Sequence, residues 1–182
     1  MVESANADRT ASDRARSRYR RASMATIEPD AAIAPLLCPG EQVHAMRRGA
    51  MFELREPLDG ASVNRCGAGD LYLTSRRLVV LSGPMLDVEL EWIREIGLAG
   101  DRLLLTLADV SGVCLVVTGP RLLRVEISAA RERVRQARDA KACRARVAGE
   151  SVEVAEAAGG LGPVADAELV EDAADVALHR PG

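Results

Sequence analysis

Aromatic side chains are nearly absent from this chain: Tyr19, Phe52, Tyr72 and Trp92 are the whole set, 2% of 182 residues. Single-stranded nucleic acid is gripped by stacking bases on aromatic platforms, which this composition does not supply. The formal net charge of −3 adds no global positive field, so no nucleic-acid partner is expected. A core must then come from Leu, Val and Ile, with Trp92 as its largest single contributor. Cys38, Cys66, Cys114 and Cys143 form no C-x-x-C pattern, and only His44 and His179 are available beside them. That excludes a recognisable zinc site. No apolar run reaches the roughly 18 residues of a membrane span, and no signal-peptide core is visible. These absences predict a cytoplasmic protein with reduced thiols.

Catalytic patterns are missing too. Glu89 and Glu91 stand two apart like an acid/base pair, but no nucleophile, histidine or metal partner lies near them in sequence, so they read as a solvated strand face. Gly67-Ala68-Gly69 is followed by no helix start and no Lys-Ser/Thr, which excludes a phosphate loop; the glycines serve the turn into the next strand. Ser111 and Ser128 have no hydrolase setting. Cys114, among Val113, Leu115 and Val116, is expected to be a buried small hydrophobe, and Cys66 an exposed loop thiol. The sequence therefore predicts neither an enzyme nor a cofactor.

What is present is charge of opposite sign at the two ends. Six arginines precede residue 25, and eight acids lie beyond Val147 against Arg180 alone. This predicts a disordered Arg-rich tail over residues 1–30, one domain over 31–147, and an acidic, mostly disordered tail over 148–182. Arg20-Arg21-Ala22-Ser23 has the form that basophilic kinases accept, and Met24 is an alternative initiator that would remove the first tail.

Between the tails, short alternating apolar runs are broken by Gly, Pro, Asp and Ser, the pattern of an antiparallel meander. A short helix is expected over 31–37, a first strand over 41–54, and a loop over 56–67 long enough to bind something. Further strands follow over 70–74, 77–81, 87–93, 102–108 and 113–118, with a short continuation over 94–98. In the third of these Val88, Leu90 and Trp92 alternate with Asp87, Glu89 and Glu91, apolar in and acidic out. After Gly119-Pro120 one long helix is predicted over 127–147, with Ser128 as its N-cap. Ile127, Ala130, Val134, Ala137 and Ala145 form its apolar stripe. Arg131, Arg135 and Arg138 flank that stripe on one side, Arg133 and Arg144 on the other, with Lys141 near its end. These six, followed by Arg146, are the candidate contacts for an anionic membrane surface or an acidic protein partner. The same arginines also suit a helix merely solvated on its outer side. The stripe lacks the Trp, Phe and Leu of a membrane-interface helix, which favours that plainer reading.

Gly69-Asp70-Leu71-Tyr72-Leu73-Thr74-Ser75-Arg76-Arg77-Leu78 resembles the G-x-L-x-L-T-x-x-R-L hairpin of GRAM and bacterial pleckstrin-homology-like (PH-like) domains. Leu90 to Ile96 is similar to the strand that follows in that family, and Gly40-Glu41-Gln42-Val43 to the entry of its first strand. The resemblance covers roughly residues 39–147. It implies a mainly β fold: a PH-like half-open antiparallel barrel of about seven strands, capped by one C-terminal α-helix. It also implies a non-enzymatic binding module for a protein partner or, weakly, for lipid at the inner face of a membrane. A basic β1–β2 loop for inositol lipids is not reproduced, since residues 56–69 carry only Arg65. The alternative is a self-associating structural domain, a homo-oligomer with no lipid binding.

Overall fold

A computed structural model describes residues 2–19, 24–58 and 61–157. Its elements in chain order are helix α1 (Val2–Tyr19), strands β1 (Val43–Leu58), β2 (Ala61–Thr74), β3 (Arg77–Leu81), β4 (Leu86–Glu89), β5 (Ile93–Ala99), β6 (Arg102–Leu107) and β7 (Gly112–Val116), and helix α2 (Pro120–Ala157). The fold is mainly β, as expected. Seven antiparallel strands form one sheet in the order β4-β3-β2-β1-β7-β6-β5. β4 and β5 are its two ends and do not pair, so the sheet is open, consistent with a half-open barrel. The chain divides into two units, Met1–Ala142 with the whole sheet and Cys143–Gly182 with the last turns of α2.

Alternation places the core. On β6, Leu103, Leu105 and Leu107 are buried while Leu104 and Thr106 are exposed. Val113 and Leu115 face the same way on β7, and Leu123, Ile127 and Ala130 of α2 close over them. Cys114 therefore points to the other face and is half-buried, which corrects the expectation of a core thiol. On β1 a register shift between Val43 and Ala45 reverses the alternation. Ala45 joins the main core, whereas Val43 packs with Ile33, Tyr72 and Val79 in a smaller cluster.

Three expected elements differ. The binding loop over 56–67 is instead the end of a long hairpin, β1 and β2 pairing from Ala50↔Gly69 to Leu58↔Ala61. Gly67 and Gly69 are thus strand residues. A side chain on Gly69 would lie 1.7 Å from the Leu81 carbonyl oxygen, and one on Gly67 would meet the Phe52 ring at 2.7 Å. Helix α2 begins at Pro120 and runs to Ala157, so the expected boundary at residue 147 falls inside it. Ser128 is not its cap; within the helix its hydroxyl donates to the Arg124 carbonyl at 2.8 Å. The short helix over 31–37 narrows to a 3₁₀ turn at Ala34–Leu36.

Residues 2–19, expected to be disordered, are helical. The inward positions of α1 are Asp8, Ala11, Ser12, Ala15 and Tyr19, spaced 3, 1, 3 and 4 apart, the pattern of one helix face. Gly119, at φ +68°, leads into α2, and the Asp8 carboxylate accepts hydrogen bonds from the Arg121 and Leu122 N–H groups, each at 3.0 Å. Asp8 therefore satisfies two of the donors a helix start leaves unpaired, from a separate element. The kinase-like string at 20–23 and the acidic residues 158–182 lie outside the described residues.

Candidate functional site

The strand predicted over 87–93 stops at Glu89, and Leu90–Trp92 form a 3₁₀ turn. A three-residue period replaces the two-residue one there, so Leu90 and Ile93 are buried while Glu91 and Trp92 face out. Trp92, expected in the core, is 52% exposed. Glu89 and Glu91 consequently do not share a strand face.

This turn forms one wall of a cavity of about 310 Å³ whose other wall is α2. Leu90 and Glu91 face Ser128, Arg131, Glu132, Val134, Arg135 and Arg138 across it. Three of the six candidate contacts are thus brought together. Arg131 is half-buried and donates to the Arg94 carbonyl at 3.2 Å; burial, then the neighbouring Arg135 charge, pulls its guanidinium below the ordinary value. Arg135 pairs with Glu132 at 2.8 Å, and Gln136 donates to the same carboxylate at 3.0 Å. Those bonds hold the Glu132 carboxyl below its ordinary value, the Arg135 bond contributing most. Arg138 is exposed at the end of the groove. With Glu91 and Glu132 set against three arginines, the groove carries a small net positive charge suited to one anionic group.

Arg133 is not part of this groove. It is half-buried, and its charge reaches Tyr19 and His44 instead. Lys141 is exposed beyond the groove, and exposed Arg144 belongs to the second unit. The burial of His44 lowers its pKa, and its Nδ1 lies 3.1 Å from the Ala25 carbonyl oxygen.

A second cleft, of about 430 Å³, was not anticipated from the sequence. It is lined by the edge strand β4, by Trp92, and by Leu107, Asp109 and Ser111 at the β6–β7 turn. A signal was present: the chain's single tryptophan follows directly on the acidic run Glu89-Leu90-Glu91.

Among the described residues no group of three or more His, Cys, Asp or Glu side chains is placed to hold a metal ion. No described helix is long and apolar enough to cross a membrane. No protein family model and no curated protein matches the chain. Among solved structures it is similar to the C-terminal domain of an unknown protein from Leishmania infantum, at 13% identity and a TM-score of 0.38, over 55% of this chain and 91% of that one.

Proposed function

We propose that the protein is a non-enzymatic, PH/GRAM-like binding module that takes an acidic segment of a protein partner in the groove between α2 and the Leu90–Trp92 turn. The observation that carries this is the convergence of Arg131, Arg135 and Arg138 on one cavity. The reading is compatible with the unclosed seven-stranded sheet and with α2 packed on its core, an architecture consistent with a half-open barrel. A protein is favoured over a membrane because the uncharged α2 residues lining the groove are Ser128 and Val134 alone, with none of the Trp, Phe or Leu side chains by which a helix inserts into lipid.

The test is fluorescence anisotropy with a labelled hexaglutamate peptide, run beside flotation on anionic and neutral vesicles. The peptide binds, binding weakens as salt rises, and Arg138→Glu combined with Arg135→Glu abolishes it, while vesicles retain no protein. Retention on anionic vesicles without peptide binding replaces the partner reading with a membrane one. Absence of both assigns the arginines to solvation of the helix. The unpaired ends β4 and β5 favour a second reading, self-association, for which apparent size falls on dilution.

A further inference from the structure

Trp92 is the single tryptophan of a chain with hardly any aromatic surface, yet it is half in solvent. Met85 lines the same cleft and is 48% exposed. Two large apolar side chains thus stand exposed together on one cavity of about 430 Å³, the arrangement that marks an interaction surface. The cleft is acidic: Asp87, Glu89 and Asp109 line it against Arg65. Asp87 is engaged by Arg77 at 2.6 Å, and Asp109 accepts from the Ser111 N–H at 3.0 Å. Half-buried Glu89 makes no ion pair with any described residue. The wall formed by β4 is also a sheet edge, bonded to β3 on one side alone.

From these features we infer that the Trp92 cleft docks an extended, basic segment of a protein partner. The segment adds to the β4 edge by main-chain hydrogen bonds. One of its Arg or Lys side chains stacks on the Trp92 indole and pairs with Glu89, where a desolvated cation over an aromatic face is held most firmly. Its apolar neighbours cover Met85. Charge complementarity selects this occupant: with Asp87 engaged by Arg77, an acidic segment would still meet Glu89 and Asp109, and a neutral one would leave Glu89 without an ion pair. This cleft differs in charge from the α2 groove and shares no lining residue with it, and the inference stands without that groove.

Because Trp92 is the one tryptophan, its intrinsic emission reports on the cleft directly. The probes are three synthetic pentapeptides, Val-Arg-Val-Arg-Val and its glutamate and glutamine analogues. The basic peptide produces a saturable shift in Trp92 emission, and the other two bind at least roughly tenfold more weakly. Glu89→Lys weakens the basic peptide by a similar factor and leaves the far-ultraviolet circular dichroism intact; Glu89→Gln, less disruptive on a half-buried strand end, weakens it to a smaller extent. Arg138→Glu, in the other groove, changes nothing. An unmoved emission, equal binding of the glutamine peptide, or full affinity in a folded Glu89 variant overturns the inference.

Discussion

The Arg77 guanidinium meets the Glu41 carboxylate across 36 residues of sequence, Nε to Oε1 at 3.0 Å, with the Glu41 side chain fully buried. Thr74 donates to the same oxygen at 2.7 Å, and the Cys38 N–H to Oε2 at 2.9 Å. The Thr74 hydroxyl also accepts from the Arg76 and Arg77 N–H groups, at 3.1 and 2.9 Å, and so closes the tight β2–β3 turn without glycine. Glu41, Thr74 and Arg77 are thus one network. Burial alone would raise the Glu41 carboxyl, but the bonds from Thr74, Cys38 and Arg77 outweigh it and hold the group below its ordinary value.

Removing one partner strands the other's charge. Arg77→Leu is expected to cost about 3 kcal/mol, read as a fall in the urea midpoint at unchanged slope. Since the folded-state pKa of Glu41 is depressed, its contribution is complete above the unfolded pKa and is lost as pH falls through the folded one. Glu41→Gln therefore lowers stability at neutral pH and flattens its decline on acidification below about pH 4.5. A variant whose acid decline parallels the parent's would show that Glu41 is not the responsible group.

Asp8 acts as the cap of α2 from a separate helix. Asp8→Ala is expected to lower stability by about 1 kcal/mol, and a chain beginning at Met24 to lose at least as much. In both, the Arg121 and Leu122 amides exchange faster with deuterium. Unchanged exchange at those two amides would remove the cap from the account.

Gly69 has no room for a methyl group, because the Leu81 carbonyl oxygen occupies its place at 1.7 Å. Gly69→Ala must push β3 away from β2, with an expected loss of about 3 kcal/mol or failure to fold. Gly83, in the following turn, has open space around it. Gly83→Ala is the matched control and stays within about 0.5 kcal/mol of the parent.

Tyr72 donates its hydroxyl to Asp30 at 2.7 Å, while Asp30 also accepts from the Ala32 and Ile33 N–H groups at 3.0 and 3.1 Å. Burial first, then the Asp30 bond and charge, push the Tyr72 phenol up to about 12. A phenol whose folded pKa is raised keeps its full contribution below the unfolded pKa of about 10 and loses it as pH rises through 12. Ultraviolet titration of the folded protein should show Tyr72 ionising near pH 12, with stability falling between pH 10 and 12. Tyr72→Phe removes that fall.

Most of the sheet was legible because it is written locally. Leu103, Leu105 and Leu107 alternate with polar or exposed neighbours, and a two-residue period admits one burial pattern once a face is covered. The motif residues Glu41, Thr74 and Arg77 were legible as a pattern of types, though not as a network. Helix α1 is not legible, because its inward face is Asp8, Ala11, Ser12, Ala15 and Tyr19, and among these Tyr19 alone is large enough to give the hydrophobic signal that periodicity detects. The exposure of Trp92 is illegible for a related reason. Val88, Leu90 and Trp92 read as one strand face until the turn at Leu90 changes the period.

Read alone, the order of residues specifies the strand-rich meander and the C-terminal helix with its arginine flank, and it holds no metal or nucleophile pattern. These follow from neighbours along the chain, where side-chain period and backbone preference act over a few residues. Tertiary structure alone decided which arginines converge. Arg131, Arg135 and Arg138 share a cavity with Leu90 and Glu91, while Arg133 turns toward His44 and Tyr19. It also decided that Trp92 faces a cleft beside β4 and that Asp8 caps a helix 113 residues away. Such pairings depend on strand order and on where one backbone crosses another, and no local period encodes either.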